Sequence, residues 1–247
     1  MIVAGEAKHA VYTGTRNVYA DMETSAKSLV ANSDVDAIHF LIEDDEFPVV
    51  LPEIIECRKV SWQPYFPPDG PNVQTRFTYM ALMRAVLWDV LDVDVALSLD
   101  CDTVAVGDCS AAWDVDVSGC YFAAVQERWP SSRPGLQYCN VGVSLLNLEM
   151  LRDGKGAEIV SLLNSRAYSW PEQDAMNYLC QGRIAEMPPE YNRCPWTVGS
   201  SAPDRIIHFA AEASWPRELL SDMKRHERLY REMTWDEAME RHEKWER

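Results

Sequence analysis

The sequence lacks any apolar run near the roughly 20 residues needed to cross a bilayer, which excludes a predicted membrane-spanning helix. Its first ten residues hold no signal-peptide apolar core, and the expectation is a cytoplasmic protein without a transmembrane segment. No Cys-x-x-Cys pair occurs among the seven cysteines, an odd number scattered through apolar segments, so reduced thiols rather than a zinc knuckle or a disulfide frame are predicted. Basic residues are scarce: 23 Lys and Arg stand against 39 Asp and Glu, a formal charge of -16. That balance opposes contact with a polyanion, so nucleic acid is not an expected partner. It also means that a phosphate-bearing ligand needs local help from a metal ion or a helix N-terminus. Fixed-period repeats and low-complexity tracts are absent as well, which excludes solenoids and long disordered tails.

What is present is a globular composition, 47% hydrophobic and 25% charged over 247 residues, enough for one large domain with a small appendage. Short β-branched runs alternate with longer amphipathic stretches, the pattern of an α/β protein with a largely parallel sheet. Strands are predicted at Ala10–Thr13, Ala37–Glu43, Arg58–Trp62, Val93–Leu99, Tyr121–Gln126, Cys139–Asn147 and, as the last core strand, Arg205–Phe209. Helices are predicted at Tyr19–Val30, Thr75–Leu91, Glu149–Asn164 and Glu172–Leu179. The Pro- and Gly-rich stretch from Pro64 to Pro71 reads as a surface connection, with a flap over a site as the alternative. Beyond Pro216 the chain turns rich in Glu, Arg, Lys, Met and Trp. One or two exposed helices with a solvated face are expected there, a lid or partner surface being the other reading. The division is thus 1–216 as the main α/β domain and 217–247 as a charged helical segment.

Chemistry is first called for at Asp100-Cys101-Asp102, where an apolar strand ends. Ligands of open α/β sheets collect at the carboxyl ends of strands, and in an extended segment residues two apart point the same way. Two bare carboxylates so placed repel each other, and one would have a raised pKa. A divalent cation removes the conflict: oxygen ligands favour Mg²⁺ or Mn²⁺, and an added imidazole tilts the choice toward Mn²⁺. By itself Asp-x-Asp is a common solvated or helix-capping pair.

Four ordered segments supply the context. They are Leu97-Ser-Leu-Asp-Cys-Asp-Thr-Val-Ala-Val-Gly-Asp108 continuing to Trp113-Asp114, Tyr138-Cys-Asn-Val-Gly-Val-Ser-Leu-Leu-Asn-Leu148, Pro171-Glu-Gln-Asp-Ala-Met-Asn177 followed by Tyr191-Asn192, and Ile206-Ile-His-Phe209. With Val11-Tyr-Thr they resemble, over roughly residues 8 to 216, the retaining glycosyltransferase family 8 that includes glycogenin and bacterial lipopolysaccharide galactosyl- and glucosyltransferases. The resemblance implies a GT-A fold, a mostly parallel mixed sheet flanked by helices. It implies that Asp100, Asp102 and His208 hold Mn²⁺, with Mg²⁺ possible, against the phosphates of a UDP-sugar. Thr13, Asn17 and Tyr19 fall at the family's uridine-binding turn, Cys101 lies between the two aspartates, and Arg84 is close to a helix arginine that approaches the donor. Asn140, Gln173 and Asp174 match positions of the sugar pocket, Gln173 beside the reacting carbon. Glu127 is either a ligand of sugar hydroxyls or an exposed strand-end charge.

The implied activity is retaining transfer of a hexose from UDP-glucose or UDP-galactose to a carbohydrate, a lipid-linked saccharide or a protein. A catalytically idle nucleotide-sugar module and a self-glucosylating protein are the alternatives. A sugar-nucleotide pyrophosphorylase is disfavoured, because no Gly-rich basic phosphate loop opens the chain. Two departures matter. The family's lysine after the histidine, implied to contact diphosphate, is missing from His208-Phe-Ala-Ala-Glu-Ala-Ser-Trp-Pro216, leaving Arg217 as the nearby substitute. Its Asn-Ala-Gly is Asn-Val-Gly here.

Overall fold

The computed structural model describes residues 7–75, 77, 79–128, 135–210 and 212–245; the opening segment through Glu6 lies outside the described residues. The chain runs β1 (His9–Gly14), α1 (Tyr19–Ala31), β2 (Ala37–Ile42), β3 (Ile55–Lys59), α2 (Leu87–Val90), β4 (Val95–Leu99), β5 (Thr103–Ala105), β6 (Phe122–Gln126), β7 (Cys139–Asn147), α3 (Leu148–Met150), α4 (Gly156–Ser165), α5 (Pro171–Leu179), β8 (Ile184–Glu186), β9 (Ile206–His208), α6 (Arg217–Glu232) and α7 (Trp235–His242).

Seven strands form one sheet in the order β3-β2-β1-β4-β7-β6-β8. Pairings β1–β2, β1–β4, β2–β3 and β6–β8 are parallel, and β7 runs antiparallel to both its neighbours. The central strands are apolar on both faces because both are covered. Alternation sends Tyr12, Phe40 and Leu97 into the core beneath α1, while Val11, Leu41 and Ala96 enter the core shared with Met83, Ile159 and Met176. Each fully buried Leu or Phe of this kind contributes about 2 kcal/mol.

Several elements depart from the sequence expectation, each for a local reason. The helix expected over Thr75–Leu91 is a 3₁₀ segment at Tyr79–Val86 followed by the single turn α2. A 3.0-residue turn brings i and i+3 together much as a 3.6-residue turn does, so the apolar spacing does not separate the two. The expected Glu149–Asn164 helix is broken by a π-type turn at Leu151–Lys155, where Gly154 adopts φ 97°, a conformation that costs glycine little. β3 begins at Ile55 rather than Arg58. It is an edge strand with only Ile55 buried, which leaves little apolar signal to read. The strand at Ile206–His208 is not in the main sheet: it pairs antiparallel with the short β5 in a second, two-stranded sheet.

At the C-terminus, α6 and α7 pack on α1, and Met223, Tyr230, Met233 and Ala238 join the core beneath it. Thr234 and Glu237 form a reciprocal capping box that starts α7. The opposite faces of both helices are charged and exposed. Among the described residues, no helix is long and apolar enough to cross a membrane.

Candidate active site

β4 delivers Asp100 at its carboxyl end, and the backbone then turns sharply before β5. Thr103 Oγ1 donates to the Asp100 carbonyl at 2.8 Å and closes that turn. The two aspartates therefore converge through a turn, not through the pleat of an extended strand. The register of the small sheet sets Thr103 opposite His208, which carries a residue more than a hundred positions away to the side of Asp102. His208 Nε2 lies 3.4 Å from Asp100 Oδ2 and 3.3 Å from Asp102 Oδ1. One donor atom from each of the three residues falls within 4.8 Å of the others.

Each member is held by a further partner. His208 Nδ1 lies 3.1 Å from Asn192 Oδ1. Asn192 Nδ2 is committed as a donor to Asn140 Oδ1 at 3.0 Å, so its Oδ1 is the acceptor and His208 carries its proton on Nδ1. That leaves Nε2 facing the carboxylates, to which the charged imidazole donates; a bound cation would take the place of that proton. Asp100 Oδ1 accepts from Arg84 Nη2, while Arg84 also donates to Ser98 Oγ at 3.1 Å and Glu172 Oε1 at 3.3 Å. Gly142 is required here. A Cβ on it would collide with the His208 ring and sit 2.7 Å from Asp100 Oδ2.

Electrostatics divide the cluster. Burial acts to raise the Asp100 carboxyl, but Arg84 and His208 outweigh it and hold it well below the usual carboxylate range. Burial acts to lower the His208 imidazole, yet Asp102 and Asp100 raise it well above its ordinary value. Glu172 goes the other way: burial, only partly opposed by Arg84, pushes it up to about 7.

These groups open onto a cavity of about 520 Å³. Asp100, Cys101, Asp102, His208, Thr13 and Arg84 line it on one side, and Glu127, Asn140 and Gln173 on the other. Arg84 is buried rather than on the surface, where an arginine of an amphipathic helix ordinarily sits. Gln173 Nε2 donates to Glu127 Oε1 and to Tyr138 Oη, both at 3.0 Å, while its Oε1 accepts from the Val141 amide at 3.1 Å. Asn140 Nδ2 reaches the same Glu127 oxygen at 3.4 Å.

Three sequence candidates stand apart from this cavity. Asn17 is exposed and accepts from Thr15 Oγ1. Tyr19 is buried, with its hydroxyl donating to Asp44 Oδ2 at 3.1 Å. Asp174 lies on a second, smaller cavity, where it accepts from Tyr138 Oη at 2.6 Å and from the Trp170 amide at 3.0 Å. Arg217 is exposed and does not line the main cavity; neither does any residue from Pro64 to Pro71.

Sequence reasoning passes over Gly142 and Tyr138 as individual residues and gives Glu172 and Asn192 no role in the site. Glu172 reads as an ordinary helix-start acid, whereas a lone glycine inside a nine-residue apolar strand was an available signal of close approach.

The sequence matches the profile of glycosyl transferase family 8 over residues 9–213. It is 26% identical over 175 residues to the probable glycosyl transferase Gly of Streptococcus gordonii, a match covering 66% of this chain and 25% of that protein, so the chain spans about a quarter of the relative's length. The fold is similar to that of the galactosyltransferase LgtC in complex with donor and acceptor sugar analogues (TM-score 0.72, 18% identity, 87% of this chain and 94% of that one). It is also similar to the glycosyltransferase GlyE of Streptococcus pneumoniae (TM-score 0.67, 16% identity, 96% of this chain and 63% of that one). With four-fifths of its length matched, and an Asp-x-Asp pair meeting a distant histidine at the mouth of a GT-A sheet, the chain belongs to glycosyl transferase family 8.

Proposed function

We propose that the protein is a retaining hexosyltransferase that uses a UDP-sugar, UDP-glucose or UDP-galactose, with Mn²⁺ or Mg²⁺ held by Asp100, Asp102 and His208. The convergence of those three side chains on one cavity wall is the observation that carries the reading. The donor set fits such an ion: two carboxylate oxygens and an imidazole nitrogen whose tautomer is fixed by Asn192. The ion, when bound, offsets the negative charge of the departing diphosphate.

The chain's own residues do the remaining work. Arg84 takes one oxygen of Asp100 and leaves the other facing His208. Gln173, Asn140 and Glu127 present amides and a carboxylate, the groups that recognise the hydroxyls of a hexose. The Gln173 amide dipole, fixed at both ends by hydrogen bonds, is preorganised to steady positive charge developing at the anomeric carbon. The acceptor hydroxyl attacks from the face the diphosphate leaves, and its proton passes to the departing phosphate oxygen. Residues 1–216 form the catalytic unit of this proposal, and 217–247 the charged segment whose helices buttress α1.

Asp102→Asn is expected to abolish metal-dependent release of UDP while the protein stays folded by circular dichroism; unchanged turnover in that variant contradicts the proposal. A second reading, an idle nucleotide-sugar module, draws support from the missing lysine after His208 and the remote Arg217. Calorimetry with UDP and Mn²⁺ followed by a donor hydrolysis assay separates the two, since binding without hydrolysis or transfer to any acceptor favours the module. An increase in intact mass after incubation with UDP-glucose would instead identify self-glucosylation.

A further inference from the structure

α5 divides two concavities. Gln173 faces the main cavity and Asp174 the second, which has a volume of about 240 Å³. One phenol links them: Tyr138 Oη accepts from Gln173 Nε2 and donates to Asp174 Oδ1. Trp170, Asp174 and Tyr178 follow one another at four-residue spacing, so they share one face from the helix start onward. Trp170 lines the main cavity, whereas Asp174 and Tyr178 line the second.

Trp170 and Tyr178 are 38% and 54% exposed, two of the few large apolar side chains left open to solvent among the described residues. Phe77 packs against Trp170 with ring centroids 5.3 Å apart and extends the aromatic surface along the main cavity. On the far side, the Arg166 guanidinium sits over the rings of Tyr168 and Tyr178 at 4.6 and 5.6 Å from their centroids. Aromatic side chains thus stand on both cavities, Phe77 and Trp170 at the candidate active site and Tyr168 and Tyr178 at the second, with the start of α5 between them.

We infer that these side chains bind a neutral oligosaccharide acceptor, with its terminal ring in the main cavity and its following rings over Trp170 and into the Tyr168–Tyr178 cavity. The inference rests on the transferase reading above and names the acceptor class for it. A pyranose has an apolar C–H face and a rim of hydroxyls, which suits aromatic faces interleaved with planar polar groups. A lipid tail would bury the exposed Arg166 guanidinium against apolar chain, at a desolvation cost that a hydroxyl-rich ligand does not incur. Charge selects a neutral glycan. The main cavity carries Asp21, Asp100, Asp102, Glu127 and Glu172 against Arg84 and His208, while the second balances Arg166 with Asp174.

The experiment measures, by calorimetry on the full chain, the affinities of lactose, maltose and cellobiose against lacto-N-tetraose, maltotetraose and cellotetraose, with UDP and Mn²⁺ binding measured separately. In at least one series the tetrasaccharide is expected to bind about tenfold more tightly than the disaccharide, the weight of one added aromatic contact. Tyr178→Ala is expected to erase that length preference and Tyr178→Phe to keep it. Trp170→Ala is expected to weaken both lengths. A panel with no length preference, or a preference that survives Tyr178→Ala, overturns the inference. Failure of UDP and Mn²⁺ to bind is a separate result that strikes the transferase reading and leaves glycan length dependence readable by itself.

Discussion

The two sides of the main cavity are built on opposite principles. One is ionic: Asp100, Asp102, His208, Arg84 and Glu172 crowd their charges together and settle them against one another. The other consists of side-chain amides and a phenol around one carboxylate, Gln173 and Asn140 both donating to Glu127. The ionic side suits a diphosphate and the ion that accompanies it; the amide side suits a sugar, whose hydroxyls are neutral. The bridge between them is Asn192, which accepts from His208 and donates to Asn140. A difference of this kind predicts that damage on one side changes different quantities from damage on the other.

The largest effect is expected on the ionic side. His208→Ala removes one of the three proposed ligands and should lower transfer by about a thousandfold or more, with loss of Mn²⁺ affinity seen by calorimetry. On the amide side, Gln173→Ala should lower kcat by about a hundredfold to a thousandfold, the scale of losing one positioned dipole, while Mn²⁺ affinity holds. Parallel loss of metal affinity in both variants would erase the distinction. Asn192→Ala tests the bridge: freeing the His208 ring should weaken Mn²⁺ binding by about 10- to 100-fold and also disturb Asn140. Gly142→Ala, whose methyl would press on His208 and Asp100, should cost roughly 1–3 kcal/mol of stability in urea unfolding.

The smallest effect concerns Glu172 and pH. Its folded pKa of about 7 lies above the ordinary value of 4.5, so its contribution to stability is fully present below about pH 4.5 and is lost as pH rises through 7. In metal-free buffer, Glu172→Gln should flatten the pH dependence of unfolding between those limits, a change of roughly 1–3 kcal/mol. An unaltered profile would mean that the carboxyl is charged at little cost beside Arg84.

Legibility in the sequence followed the strength of local signals. Asp100 and Asp102 were visible as carboxylates closing an apolar strand, and the order of motifs brought His208 to them across a hundred residues. Composition and strand spacing indicate the α/β class, and β7, nine residues long with Val141, Val143, Leu145 and Leu146 in it, is plain. The small sheet is not, since β5 has three residues and β9 three, too few to show a period. Yet its register is what joins the site. Arg84 and Glu172 lie on helical segments where an exposed charge is the ordinary outcome; only packing reveals that they face each other. Asn17 and Tyr19 fall at the turn to which the resemblance points, and their side chains bond Thr15 and Asp44. Asp174 and Gln173, adjacent in sequence, face separate cavities, a consequence of the hundred-degree step along a helix.

The most direct measurement is a calorimetric titration of UDP into the protein with and without Mn²⁺, repeated on Asp100→Asn. Binding at least tenfold tighter in the presence of Mn²⁺, with the gain lost in the variant, is the predicted result. UDP binding that is indifferent to Mn²⁺, or a gain that survives in Asp100→Asn, contradicts the account.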